Sequence, residues 1–93
     1  MNDSSPPDES PVYSASGDYA IAEEVDARGL ACPLPLLKAK LALNRMVAGQ
    51  CLRVLATDGG SVRDFHAYAE LSGHKLLHFH QSDNEYEYVL QKA

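Results

Sequence analysis

The chain has 93 residues, a formal net charge of −5 and 45% hydrophobic residues, the profile of one small globular domain. The acidity argues against nucleic-acid binding, and no apolar run approaches the roughly 20 residues that span a bilayer. The N-terminus lacks the basic and apolar regions of a secretory signal. Two cysteines, Cys32 and Cys51, are too few for a disulfide scaffold and wrongly spaced for a CxxC motif. These features point to a reducing cytoplasm.

Charge divides the chain. Residues 1–24 carry six acids and no Lys or Arg, whereas residues 25–93 carry seven acids and eight bases. The first stretch is also rich in Ser and Pro and has no clean hydrophobic period. It cannot bury enough apolar surface to offset the entropy of ordering. Residues 1–22 are expected to be a disordered acidic tail, and residues 23–93 the folded unit.

Within that unit Glu24–Ala27 reads as a short strand. Gly29 allows a turn, and Pro33 and Pro35 suit the first turn of a helix. From Leu34 to Val47 the apolar residues Leu36, Ala39, Leu43 and Met46 recur at helical spacing, and Gly49 is a stop. Cys51–Thr57 is an aliphatic strand, followed by loop chemistry in Asp58-Gly59-Gly60-Ser61. Ser61-Val62-Arg63-Asp64 resembles a capping box with Asp in place of Glu. Val62, Phe65 and Ala69, with Tyr68 beside them, form the inner stripe of a second helix ended by Gly73. Lys75–His80 is a third strand and Ser82-Asp83-Asn84 a polar turn. Residues 85–92 alternate, with Tyr86, Tyr88 and Leu90 on one face and Glu85, Glu87 and Gln91 on the other. The order β-α-β-α-β-β predicts an α/β fold: a two-layer sandwich of a four-stranded mixed sheet with both helices on one face.

Cys32 stands directly before the first helix. Free amides and the helix dipole there are expected to lower the pKa of a thiol and to stabilise a thiolate or persulfide anion. Position alone leaves open the alternative, a Cys packed as a small hydrophobe. A bond to Cys51 is not expected, because the intervening helix of about 14 residues, roughly 21 Å long, separates them. Cys51 reads as structural.

Asp26-Ala27-Arg28-Gly29-Leu30-Ala31-Cys32-Pro33-Leu34-Pro35, followed by Lys38, Lys40, Gly49, Thr57-Asp58 and Gly73-His74, resembles the TusA family of sulfur carriers, also called SirA-like or YedF-like. The CPxP motif at the helix start is its most specific feature. The resemblance implies the same βαβαββ fold. It also implies that Cys32 receives sulfane sulfur from a cysteine desulfurase and relays it toward tRNA 2-thiolation, molybdenum cofactor or related sulfur trafficking. Many members carry Pro after the Asp of the second strand. Here Gly59-Gly60 follows Asp58 and should make that loop more flexible.

On this reading Cys32 carries the sulfur, by thiolate attack on a donor persulfide and onward transfer. The chemistry makes the chain a sulfurtransferase-type carrier, short of a stand-alone enzyme. Pro33 and Pro35 position it, and Asp26, Arg28 and Asp58 shape the surrounding loops. Asp26 can bond local amides or touch a partner. Arg28 can pair with the sulfur anion or stand solvated. Lys38 and Lys40, interleaved with Leu37 and Leu41, suit a partner-docking surface, although such charges are also simply a solvated face. His78 and His80 share a strand face but lack a third ligand, so no metal and no cofactor are expected. The partners expected are a desulfurase donor and an acceptor protein, with no direct nucleic acid and no membrane, and the carrier itself is expected to be a monomer. The competing reading is a non-catalytic regulatory interaction module of the same fold.

Overall fold

A computed structural model describes residues 12–13 and 19–93. Its elements are β1 (Val12–Tyr13), β2 (Ala20–Ala27), α1 (Leu34–Asn44), β3 (Cys51–Ala56), α2 (Gly60–Ser72), β4 (Lys75–Ser82) and β5 (Glu85–Gln91). The sheet order is β1-β2-β3-β5-β4. β2 and β3 are parallel, β3 and β5 antiparallel, and β4 and β5 a hairpin. The four expected strands are β2 to β5. The added β1 pairs antiparallel with β2, setting Val12 opposite Ile21 and Tyr13 opposite Ala20.

β2 therefore begins at Ala20, four residues before the expected Glu24. The expected tail lies mostly outside the described residues, but its last three positions, 20–22, stand in β2. The reason is apolar burial on the sheet face away from the helices. There Ile21, Cys51 and Val89 are buried together, with Tyr19 and Leu77 packed on them. Alternation in β5 hid this second cluster, because Val89 occupies the face expected to be polar and Glu87 beside it is buried too.

The main core lies between the sheet and both helices. Ala39, Ala42, Leu43 and Met46 of α1 and its exit meet Leu52, Val54 and Ala56 of β3 and Tyr88 and Leu90 of β5, with Phe65 supplied by α2. Phe65 stacks on Tyr88 at 4.3 Å between ring centroids. Each large apolar side chain buried here contributes about 1.5–3 kcal/mol relative to exposure. Tyr88 is also a polar residue. Its hydroxyl shares a 2.7 Å hydrogen bond with Ser61 Oγ, and both groups are buried. Burial pushes the Tyr88 phenol up to about 12.

That bond overturns the expected capping box. α2 starts earlier, at Gly60, with Gly59 as N-cap in a right-handed helical conformation and no side-chain cap. Ser61 is already inside the helix and faces the core. Gly59 and Gly60 are thus the entry to α2 and not a loop. Gly73 ends the helix at φ 86°, a left-handed conformation that glycine adopts without penalty.

Candidate functional site

The site forms beyond the carboxyl ends of the two parallel strands, β2 and β3. β2 ends at Ala27 and the chain turns at once. Gly29 takes φ 84°, and its amide donates to Thr57 Oγ1 at 2.8 Å, fastening this turn to the end of β3. The turn delivers Cys32, and Pro33 then serves as the N-cap of α1. The Cys32–Pro33 peptide is cis. Pro35 is buried under the first turn of α1.

The first turn of α1 offers few donors to the sulfur. Pro33 and Pro35 have no N–H, and the Leu34 amide donates to Ala31 O at 2.9 Å. The nearer neighbour is the start of α2. A Cβ built on Gly60 meets Cys32 Cβ at 3.3 Å, Cys32 Sγ at 3.4 Å and Asp58 Oδ2 at 3.0 Å. One turn further along α2, the Asp64 carboxylate accepts a hydrogen bond from the Cys32 thiol.

This contact reverses the expected acidity. The bond to Asp64 raises the pKa of the Cys32 thiol above its ordinary value; burial and the charges of Asp64 and Asp58 act the same way, and only Arg63 opposes them. A helix N-terminus favours a thiolate through its free amides. Here Pro35 removes one of those amides, the Leu34 amide is already bonded to Ala31 O, and the Asp64 carboxylate occupies the approach. Cys51 is far from this chemistry. Both cysteines are free, and burial pushes the Cys51 thiol up as well.

The other expected residues are placed as follows. Asp58 Oδ2 accepts the Gly60 amide at 3.0 Å, so it braces the entry of α2 next to Cys32. Asp26 accepts from the Arg28 amide at 3.2 Å and from its guanidinium at 2.9 and 2.8 Å. That side-chain pairing holds the Asp26 carboxyl down at about 2. Glu85 also approaches Arg28, at 3.7 Å. Arg28 therefore shapes the turn through Asp26 and Glu85.

The basic face of α1 is smaller than expected. Lys40 Nζ sits over the Tyr68 ring at 5.2 Å, joining α1 to α2. Arg45 pairs with Glu23 at 3.1 Å. Lys38 remains exposed, in a shallow groove with Val25, Asp26, Leu41 and Arg45. Leu34, Leu37 and Leu41 run along the outside of α1 from the Cys32 end and are 46%, 47% and 64% exposed. His78 and His80 stack on each other on the face away from the helices, and His78 Nε2 approaches Glu87 at 3.7 Å. Among the described residues no group of three or more metal-ligating side chains comes together, and no helix is long and apolar enough to cross a membrane.

The fold and site define a two-layer α/β domain that presents a half-buried thiol through a CPxP turn. Comparison with known proteins narrows the class. The profile of the family described as sulfurtransferase TusA matches residues 23–92. The sulfur carrier protein TusA of Allochromatium vinosum is 45% identical over 71 residues, covering 76% of this chain and 93% of that protein. A putative sulfur carrier protein of Neisseria meningitidis serogroup A is 47% identical over 70 residues, covering 75% and 95%. The crystal structure of a SirA-like protein from Desulfitobacterium hafniense superposes with a TM-score of 0.66 at 28% identity, covering 74% of this chain and 95% of that one. The chain belongs to the TusA family.

Proposed function

We propose that the protein is a sulfur carrier whose working atom is Cys32 Sγ. The observation that carries this reading is the placement of a half-buried thiol at the CPxP opening of α1 in a TusA-family chain. In the loading step the Cys32 sulfur attacks the outer sulfur of a donor persulfide, R–S–S–H. The donor S–S bond breaks as the new one forms, and the donor leaves as R–SH with the proton that Cys32 gives up. The discharge step repeats this on an acceptor thiol, with Cys32 as the leaving group. Sulfane sulfur moves without net oxidation, so the transfer uses no metal or organic cofactor.

The donor on this reading is a cysteine desulfurase in the cytoplasm. The acceptor serves tRNA 2-thiolation, molybdenum cofactor or related sulfur trafficking. Leu34, Leu37 and Leu41, with Lys38 at their edge, lead from the thiol and give the partner a mixed apolar and basic surface. Incubation with a cysteine desulfurase and cysteine should add one reducible sulfur to the wild type and none to Cys32→Ala, read by intact mass. No gain with the wild type contradicts the proposal. Leu37→Asp with Lys38→Glu should weaken desulfurase binding while leaving the fold intact. Unchanged affinity removes α1 as the docking surface.

A further inference from the structure

We propose that Asp64 holds the proton on Cys32 in the free protein, so that the thiol stays silent until a bound donor shields or neutralises that carboxylate. The inference rests on the sulfur-carrier reading and concerns the control of the same atom.

The geometry assigns this role from two sides. Asp64 stands in α2, 32 residues away in sequence, and its carboxylate accepts the Cys32 S–H bond. Gly60, one turn earlier, has no side chain to keep α2 off the sulfur, and a Cβ there meets both Cys32 Cβ and Sγ. The close approach of α2 is therefore built into the sequence at Gly60, and it places Asp64 on the thiol. Asp64 is not needed to cap α2, whose N-cap Gly59 has no side-chain bond.

The charged groups facing Cys32 are Asp64 and Asp58, which disfavour the thiolate, and Arg63, which favours it. The first turn of α1 is Leu34-Pro35-Leu36-Leu37 and adds no charge. Arg28, in the turn before Cys32, is paired with Asp26 and Glu85. The balance keeps the thiol protonated and slow toward small electrophiles. A donor that presents a cation to Asp64, or displaces its carboxylate, removes the hold. The Cys32 proton then leaves on the donor's departing thiolate, and the overall change is Cys32–SH plus R–S–SH giving Cys32–S–SH plus R–SH.

The test uses the full chain and iodoacetamide, with alkylation at Cys32 followed by peptide mass mapping as a function of pH. Asp64→Asn keeps the shape of the side chain and removes its charge. It should move the alkylation midpoint down and speed alkylation at pH 7 by roughly three- to tenfold. Arg63→Gln should do the opposite and slow it. An unchanged or slower rate in folded Asp64→Asn overturns the proposal. If Asp64→Asn does not fold, Asp64→Ser decides by the same readout: faster alkylation supports the proposal, and an unchanged or slower rate overturns it. Sulfur uptake from the desulfurase is read separately. If the wild type takes up no sulfur while the variants still show these shifts, the carrier reading falls and the hold of Asp64 on the thiol stands.

Discussion

Removing the Tyr88 hydroxyl isolates a buried side-chain hydrogen bond that pins α2 to the sheet. Tyr88 is fully buried and Ser61 is 1% exposed, and their oxygens lie 2.7 Å apart. Tyr88→Phe keeps the ring stack on Phe65 but leaves the buried Ser61 Oγ without its partner. The cost is the unmet desolvation of that hydroxyl, about 1–3 kcal/mol. Ser61→Ala orphans the tyrosine hydroxyl and should cost a similar amount. The double variant loses both groups together, so neither is left unsatisfied. It should be less destabilised than the two single effects added, with a coupling of about 1–2 kcal/mol. Urea unfolding of the four proteins gives the cycle. In a domain of this size each 1 kcal/mol also shifts Tm by about 4–8 °C. Additive single effects, within the error of the titration, refute the reasoning.

Gly60→Val should destabilise by about 1–3 kcal/mol through overpacking, and it should lower sulfur uptake by pressing on Cys32; a urea titration and the mass assay read the two effects. Gly59→Pro should stabilise by about 0.4–1 kcal/mol, since Gly59 already has φ −62°, which suits proline; calorimetry checks the sign. Asp26 should titrate at about 2, below its ordinary 3.8, in an NMR pH series, and Arg28→Gln should return it toward the ordinary value. Because the folded pKa is depressed, the stabilisation is fully present above the unfolded value and fades as pH falls from there through the folded one.

Much of this arrangement was legible in the residues. The spacing of Leu36, Ala39 and Leu43 marks the inner face of α1, and the alternation of Tyr86, Tyr88 and Leu90 marks the core face of β5, because both periods are local. The CPxP motif singles out Cys32 for the same reason. What escaped depends on how elements dock. Asp64 has capping-box spacing from Ser61, but the helix begins earlier, which turns Ser61 to the core and Asp64 to the thiol. The expected acidity of Cys32 followed from the nearest helix end alone. A carboxylate from a distant element governs it instead. Lys40 looks like a free surface base until α2 brings Tyr68 beneath it. The early start of β2 was masked because Ile21 finds its apolar partners, Cys51 and Val89, only across the assembled sheet. Gly60 carried a usable signal. A second consecutive glycine at a helix entry marks a close approach, and here the approaching atom is the sulfur.

Intact-mass analysis of the full chain after incubation with a cysteine desulfurase and cysteine puts the carrier assignment to the question. A gain of one sulfur that a reductant removes, present in the wild type and lost in Cys32→Ala, is the predicted result. A wild type that stays at its original mass, or a Cys32→Ala variant that still takes up the sulfur, contradicts it.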